Sequence, residues 1–204
     1  MPVQKMTAKA ACHIMLGAAI RHRRAAMPEN ISLTRLRNSN RTLTMTPDLT
    51  VRLARPDDIE RLAELFDHYR QFYDCPPDYD AAKRWLTINL AEGRSTIFVA
   101  DTGLELLGFT QLYPALCSVD LVKYCVLYDL FVAEAARRRG IARSLMNAAS
   151  DWATTEGAAR IDLETARDNA PGQSLYRSLG YEVDEVFLKF SLDLSDHNAT
   201  SITP

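Results

Sequence analysis

The sequence predicts an α/β fold, on three observations. Segments of two-residue alternation or short apolar runs are interleaved with segments whose apolar residues recur every three and four positions. Gly and Pro fall at the joints between them. The resulting order, β-α-α-β-β-β-α-β-α-β, combines hairpin-type and helix-containing connections. The chain has 204 residues, which suits one domain with a single sizeable core. That domain is expected over residues 47–195.

Leu49 to Arg55 alternates apolar and polar residues, as a half-buried strand does. Pro56 then opens a helix, with Asp57 and Asp58 in the first turn, where acids suit the helix dipole. Ile59, Leu62, Ala63, Phe66 and Tyr69 form its apolar stripe. Cys75-Pro76-Pro77 interrupts the chain. A second helix is expected from Asp78 to Ala91, burying Ala81, Trp85 and Ile88 and ending at Gly93. Thr96 to Ala100 reads as a strand, Asp101-Thr102-Gly103 as a turn, and Leu104 to Tyr113 as the partner strand. Lys123 to Val132 reads as a long buried strand. After Arg137-Arg138-Arg139-Gly140 comes a helix burying Ile141, Leu145, Ala148 and Trp152 and closed by Gly157. Arg160 to Thr165 is a further strand. Asn169-Ala170-Pro171 starts a short helix that ends at Gly180, and the alternation from Val186 to Asp193 predicts a last strand.

Charge is unevenly distributed. Residues 1–46 hold eight Lys/Arg against one acid, so the rest of a chain of net charge −2 carries −9. An acidic domain argues against phosphate-backbone binding, which rests on Lys and Arg, and favours a cationic partner. Residues 1–46 have no aromatic residue and few large aliphatics, too little apolar surface to offset ordering entropy. Three readings stay open for this extension: a disordered tail, a basic targeting peptide, or an upstream extension of a domain starting near Met45. Residues 196–204 are read as a flexible tail. Cys12, Cys75, Cys117 and Cys125 form no C-x-x-C pair and have no His at metal-ligand spacing. They are expected to be free thiols in a reducing, cytoplasmic setting, with no metal. No apolar run approaches the ~20 residues that span a membrane.

The strongest local signal runs from Asp129 to Leu145, where a strand gives way to an Arg-rich turn, Gly140 and a helix start. Backbone N–H groups at such a start lack intrahelical partners and bind anions, and glycine lets a phosphate approach closely. Arg137, Arg138, Arg139 and Arg143 can add charge-assisted contacts. Neither G-x-x-x-x-G-K-[ST] nor G-x-G-x-x-G occurs. Arg137-x-x-Gly140-x-Ala142 resembles the acyl-CoA pyrophosphate motif of the GNAT superfamily of N-acetyltransferases. Asn169 to Tyr181 resembles that family's second recurrent element: an Asn, a Tyr seven residues later, then Gly and an aromatic residue. The resemblance covers residues 48–194 and implies a three-layer α/β/α sandwich. Its mixed, mostly antiparallel sheet would splay between the strand ending at Val132 and the strand ending at Thr165.

The resemblance further implies acetyl transfer from acetyl-CoA to a primary amine of a small molecule. A protein or peptide acetyltransferase and a non-catalytic acyl-CoA-binding module are the alternatives, and a homodimer stays open. The backbone of Leu130, Phe131 and Val132 would pair with the pantetheine arm. The turn through Arg138, Arg139, Gly140, Ile141, Ala142 and Arg143 would cradle the pyrophosphate, Asn169 would contact the cofactor arm, and Tyr176 would protonate the departing thiolate. An alkylamine of pKa about 10.4 must also lose a proton before attack, and Asp129 and Glu164 are the candidate bases. Polyamine acetyltransferases of the family carry a Glu-Asp pair in the fourth strand; here that pair is Tyr128-Asp129. Tyr69, Phe72, Tyr73, Gln111, Tyr113 and Tyr128 are the candidate substrate-pocket residues.

Overall fold

The structure, a computed structural model, describes residues 49–194. The extension over residues 1–46 and the tail from 196 lie outside the described residues. Five strands form one sheet: β1 (Thr50–Leu53), β2 (Thr96–Asp101), β3 (Leu106–Cys117), β4 (Val122–Val132) and β5 (Ile161–Leu163). They lie side by side in chain order. The first four pair antiparallel and β5 joins β4 in parallel. This mixed order follows from the connections: turns join β2, β3 and β4, whereas a helix crosses over from β4 to β5.

Helices cover both faces. α1 (Ile59–Phe72) and α2 (Tyr79–Ala91) pack on one, where Leu62, Ala63, Phe66 and Leu86 meet Ile97, Val99 and Phe109. α3 (Ile141–Thr155) covers the other, where Ile141, Leu145 and Ala149 meet Phe98, Ala100, Leu112 and Leu127. Leu175, Tyr176 and Leu179, in and just after α4 (Ala170–Ser178), pack against that second core. Ile97 and Val99 thus face one layer and Phe98 and Ala100 the other, which explains the unbroken apolar run of β2. Gly108 lets β3 and β4 approach: a Cβ there would lie 2.8 Å from the Phe131 carbonyl oxygen.

Short-range chemistry sets the helix starts. Pro56–Asp58 form a 3-10 turn that leads into α1. The Asp78 side chain accepts from the Ala81 N–H and caps α2. A part-buried ion network centred on buried Asp58 pins the first corner. Asp58 accepts from both terminal nitrogens of Arg52 at 2.7 and 2.8 Å and from Arg61 at 2.9 Å, and Arg52 also reaches Asp101 at 2.6 Å.

Two expectations are corrected. α2 buries Ala82, Leu86 and Asn89, while Trp85 and Ile88 are exposed. Its inner face is one residue further on than the Ala81, Trp85, Ile88 stripe, because Asn89 finds the Tyr113 hydroxyl at 3.5 Å beneath the helix. The alternating segment Val186 to Asp193 forms no strand, and Val186, Leu188, Phe190 and Leu192 are all exposed. Alternation stabilises a strand only where an edge pairs with it, and β5 offers an edge of just three residues.

Candidate active site

The sheet opens between β4 and β5. Their ladder runs from Cys125–Ile161 to Leu127–Leu163 and stops, while β4 continues to Val132. Across β3 the register jumps from Gln111–Asp129 to Leu112–Leu127, which leaves Tyr128 as the extra residue of a bulge. Beyond it Leu130, Phe131 and Val132 pair with Thr110, Phe109 and Gly108. Their other side has no strand partner among the described residues. The Thr110 hydroxyl donates to the Asp129 carbonyl at 2.9 Å and holds the bulge.

β4 ends in a 3-10 turn, Glu134–Ala136, and the chain bends into α3 through two left-handed residues, Arg138 (φ 63°) and Gly140 (φ 81°). No side chain caps α3 and no acid sits in its first turn. The Ile141, Ala142 and Arg143 amides have no hydrogen-bond partner among the described residues. A Cβ at Gly140 would meet nothing within 4 Å, so the glycine answers to its positive φ and not to crowding. Arg138, Arg139 and Arg143 are exposed around this turn, with Arg143 donating to Ser178 on α4 at 2.6 Å. The Arg137 side chain stands apart from them. Its Nε donates to the Val132 carbonyl at 3.1 Å, and its guanidinium lies 5.8 Å from the Phe131 ring and 5.9 Å from the Phe72 ring.

Asp129 is 8% exposed. Phe131, two residues along β4, packs against the α1/α2 core, so strand alternation places Asp129 on that same face. Burial pushes its carboxyl up to about 6, an effect partly offset by the Tyr69 hydroxyl, which is placed to donate to the charged form. That hydroxyl also lies 3.5 Å from the Tyr128 carbonyl oxygen. Burial, the Asp129 charge and the Tyr73 and Tyr176 phenols all raise the Tyr69 hydroxyl. Burial followed by Tyr73 raises Tyr176. Asp129 on β4, Tyr69 on α1, Tyr73 just after it and Tyr176 on α4 are therefore electrostatic neighbours at the parted strands.

Gln111 is fully buried opposite Asp129. Its Nε2 donates to Ser95 Oγ at 2.8 Å and to the Tyr113 hydroxyl at 2.6 Å. Its Oε1 is the one buried side-chain polar atom without a partner among the described residues. The Tyr113 and Tyr128 rings meet edge to face at 5.8 Å, and Tyr69 and Tyr73 do so at 5.3 Å. Of the six residues expected to line a substrate pocket, Gln111, Tyr128, Tyr69 and Tyr113 border or adjoin Asp129, Tyr73 reaches it only through Tyr69, and Phe72 is exposed beside Arg137. Ser95 and Asn89 also belong to this polar patch and escaped the sequence reading; the available signal was a polar residue on the apolar stripe of α2, one turn after Leu86.

The remaining candidates are placed differently. The Asn169 side-chain Oδ1 accepts from Gly172 N–H at 3.1 Å and its Nδ2 donates to Thr165 Oγ1 at 2.9 Å, so its side chain caps α4. That cap fixes the helix carrying Tyr176. Glu164 is exposed and ion-paired with Lys189 at 2.5 Å, whereas Asp129 is buried.

The acetyltransferase (GNAT) family model matches residues 59–181. An uncharacterized N-acetyltransferase of Bacillus subtilis, YhfO, is 37% identical over 146 residues, covering 72% of this chain and 98% of that protein. A probable acetyltransferase of Haemophilus influenzae is 31% identical over 138 residues, 67% of this chain and 92% of that protein. The crystal structure of a probable acetyltransferase superposes with a TM-score of 0.68 at 34% identity, covering 72% of this chain and 99% of that one. The open mixed sheet that parts beside an uncapped helix start is thus shared with a probable acetyltransferase. The chain belongs to the GNAT family of acetyltransferases.

Proposed function

We propose that this protein transfers the acetyl group of acetyl-CoA directly to a primary amine of a small molecule. The observation that carries the reading is the convergence of Asp129, Tyr69, Tyr73 and Tyr176 where β4 and β5 part, beside the uncapped start of α3. The residues present fit the cosubstrate. Three free amides and the flanking Arg138, Arg139 and Arg143 suit a diphosphate. The unpaired side of Leu130, Phe131 and Val132 suits an amide-bearing arm added as a strand. Acetyl-CoA supplies an activated acetyl thioester.

The chain's own groups do the rest. Buried Asp129 attracts the ammonium form of the amine and accepts its proton; a carboxyl raised to about 6 is a better base at neutral pH than an ordinary one. Gln111 Oε1, an acceptor without a partner, suits a second N–H of the same amine. Tyr176, a phenol, carries its proton at neutral pH, and burial raises it further; its O–H fits a donor to the departing sulfur. Transfer is direct: the buried thiol of Cys125 is raised by burial and is a poor nucleophile. The free thiols Cys75, Cys117 and Cys125 support a cytoplasmic setting. No helix among the described residues is long and apolar enough to cross a membrane.

The test is release of free CoA by the full chain against a panel of small amines, with lysine peptides and free-amine N-termini as the competing class. Turnover of peptides alone would replace the small-molecule reading with the protein-acetyltransferase one. CoA binding without turnover of any acceptor would leave a binding module.

A further inference from the structure

A cavity of about 360 Å³ lies between the last turns of α1 and the stretch where β4 runs into its 3-10 turn, and Phe131 links it to the face of β4 that carries Asp129. His68, Phe72, Phe131, Glu134 and Arg137 contribute to its walls. Arg137 is the only one whose charge is held in place. Its Nε is fixed on the Val132 carbonyl, and two aromatic rings flank its guanidinium within 6 Å. The two terminal nitrogens have no hydrogen-bond or ion-pair partner among the described residues, although Glu134 lines the same cavity. A planar fork pre-set in this way, with its paired N–H groups open, matches a carboxylate.

The distance to Asp129 decides what else such a ligand carries. Asp129 and Phe131 are successive residues on one face of β4, so they stand ~7 Å apart along the strand, and the guanidinium sits over the ring of the second. The acid and the guanidinium are therefore on the order of 10 Å apart. A hydrogen bond of about 2.9 Å at each end leaves only a few ångströms for the ligand between them. That is the reach of a short amino acid. Tyr69, whose hydroxyl reaches Asp129, packs its ring against Phe131 and Tyr73. A diamine would set its second cation against a fixed guanidinium, with only the exposed Glu134 to offset it.

We infer that the acceptor is an amino acid or a similarly short amino carboxylate, its amine held at Asp129 and its carboxylate at Arg137. This rests on the proposed acetyl transfer with Asp129 as the amine-holding group.

The experiment measures kcat/KM from free-CoA release by the full chain with amino acids of both hands and with 4-aminobutyrate. Each is paired with its carboxamide and with the corresponding diamine. The carboxylate form is expected to be preferred at least tenfold. Arg137→Gln is expected to bring that ratio close to one, and Arg137→Lys, which keeps the charge but loses the fork, to leave it in between. A residue with only a structural role would lower both members of a pair together and leave the ratio unchanged. Preference for the amide or the diamine, or a ratio untouched by Arg137→Gln, overturns the inference while acetyl transfer stands. Absence of CoA release with every amine overturns it together with the reading beneath it.

Discussion

Gln111 and Asp129 stand opposite each other across the β3–β4 ladder, both buried, at the last register position before the bulge. One carries an acceptor without a partner and the other a carboxyl whose ionisation is opposed by burial. Two such groups side by side suit a further donor arriving between them. An incoming ammonium supplies several N–H donors at once.

The first expectation concerns activity against pH. As the proposed base, Asp129 would serve in its ionised form, and burial raises its carboxyl to about 6. The rate constant kcat/KM should therefore rise with pH through about 6 before other groups intervene. Asp129→Asn should remove that acidic limb and lower kcat/KM by ~10²–10⁴-fold, the usual contribution of a positioned base. A pH profile that is flat between 5 and 7 in the wild-type protein would take Asp129 out of the proton path.

The same carboxyl should reduce stability. Its folded pKa lies above the ordinary 3.8, so the folded state holds a proton that the unfolded state releases between about pH 4 and 6. Stability is expected to fall across that window and stay lowered above it. Asp129→Asn, which resembles the neutral acid, should then be more stable than wild type at pH 7 by on the order of 2–3 kcal/mol. The two proteins should converge near pH 4. Urea unfolding at the two pH values measures the difference.

Tyr176 lies near Tyr73 and packs on the α3 side of the sheet, so its ring contributes to the core as well as to the site. Tyr176→Phe keeps the ring and removes only the proton. It should lower kcat by ~10²-fold or more while changing KM for acetyl-CoA little. Equal losses for Phe and Ala variants, with matching losses in thermal stability, would assign the residue to packing alone.

Asp58 tests the scaffold independently. It is 2% exposed, accepts from Arg52, Arg61 and the Arg55 N–H, and its carboxyl is lowered to about 2, with the Arg52 hydrogen bond as the largest cause. Asp58→Asn leaves Arg52 short of a counter-charge and should cost about 3–5 kcal/mol in chemical unfolding. Because the folded pKa is lowered, the stabilisation is present above about pH 4 and lost as pH falls towards 2. The variant's deficit should shrink over that window.

Much of this arrangement was legible in the sequence because it depends on local rules. β1, β2 and β4 follow from alternation and short apolar runs, the uncapped α3 start from Arg-rich chain meeting Gly140, and the α4 cap from Asn169 before Pro171. The missed features depend on tertiary context. Trp85 and Ile88 are spaced as well as Leu86 and Asn89 for an inner helix face, and only the Tyr113 hydroxyl beneath the helix selects the polar member. The Gln111–Ser95–Tyr113 network and its pairing with Asp129 depend on where one residue bulges out of β4. Side-chain period cannot locate that position. The Arg137 guanidinium is set apart from its basic neighbours by two rings on other elements, a contact that local sequence does not encode.

Arg138 and Gly140 provide a paired test of the turn that leads into α3. Both are left-handed, at φ 63° and 81°. An L side chain in that region costs roughly 1–2 kcal/mol. Gly140→Ala should therefore destabilise the protein by about 1 kcal/mol although a Cβ meets no atom within 4 Å. Arg138→Gly should relieve strain, offset in part by the entropy of the added glycine, and so be neutral or stabilising by up to about 1 kcal/mol. Acetyl-CoA affinity is expected to fall in both variants, for different reasons. In Gly140→Ala a methyl group stands where a diphosphate must approach the amides; in Arg138→Gly a cation is lost. High salt should narrow the difference from wild type for Arg138→Gly, because screening already weakens that contact. It should leave the difference for Gly140→Ala in place. Calorimetric binding of CoA at two salt concentrations, beside thermal unfolding of each variant, separates the two causes. Undiminished affinity in Gly140→Ala would mean that the diphosphate does not rest on this turn.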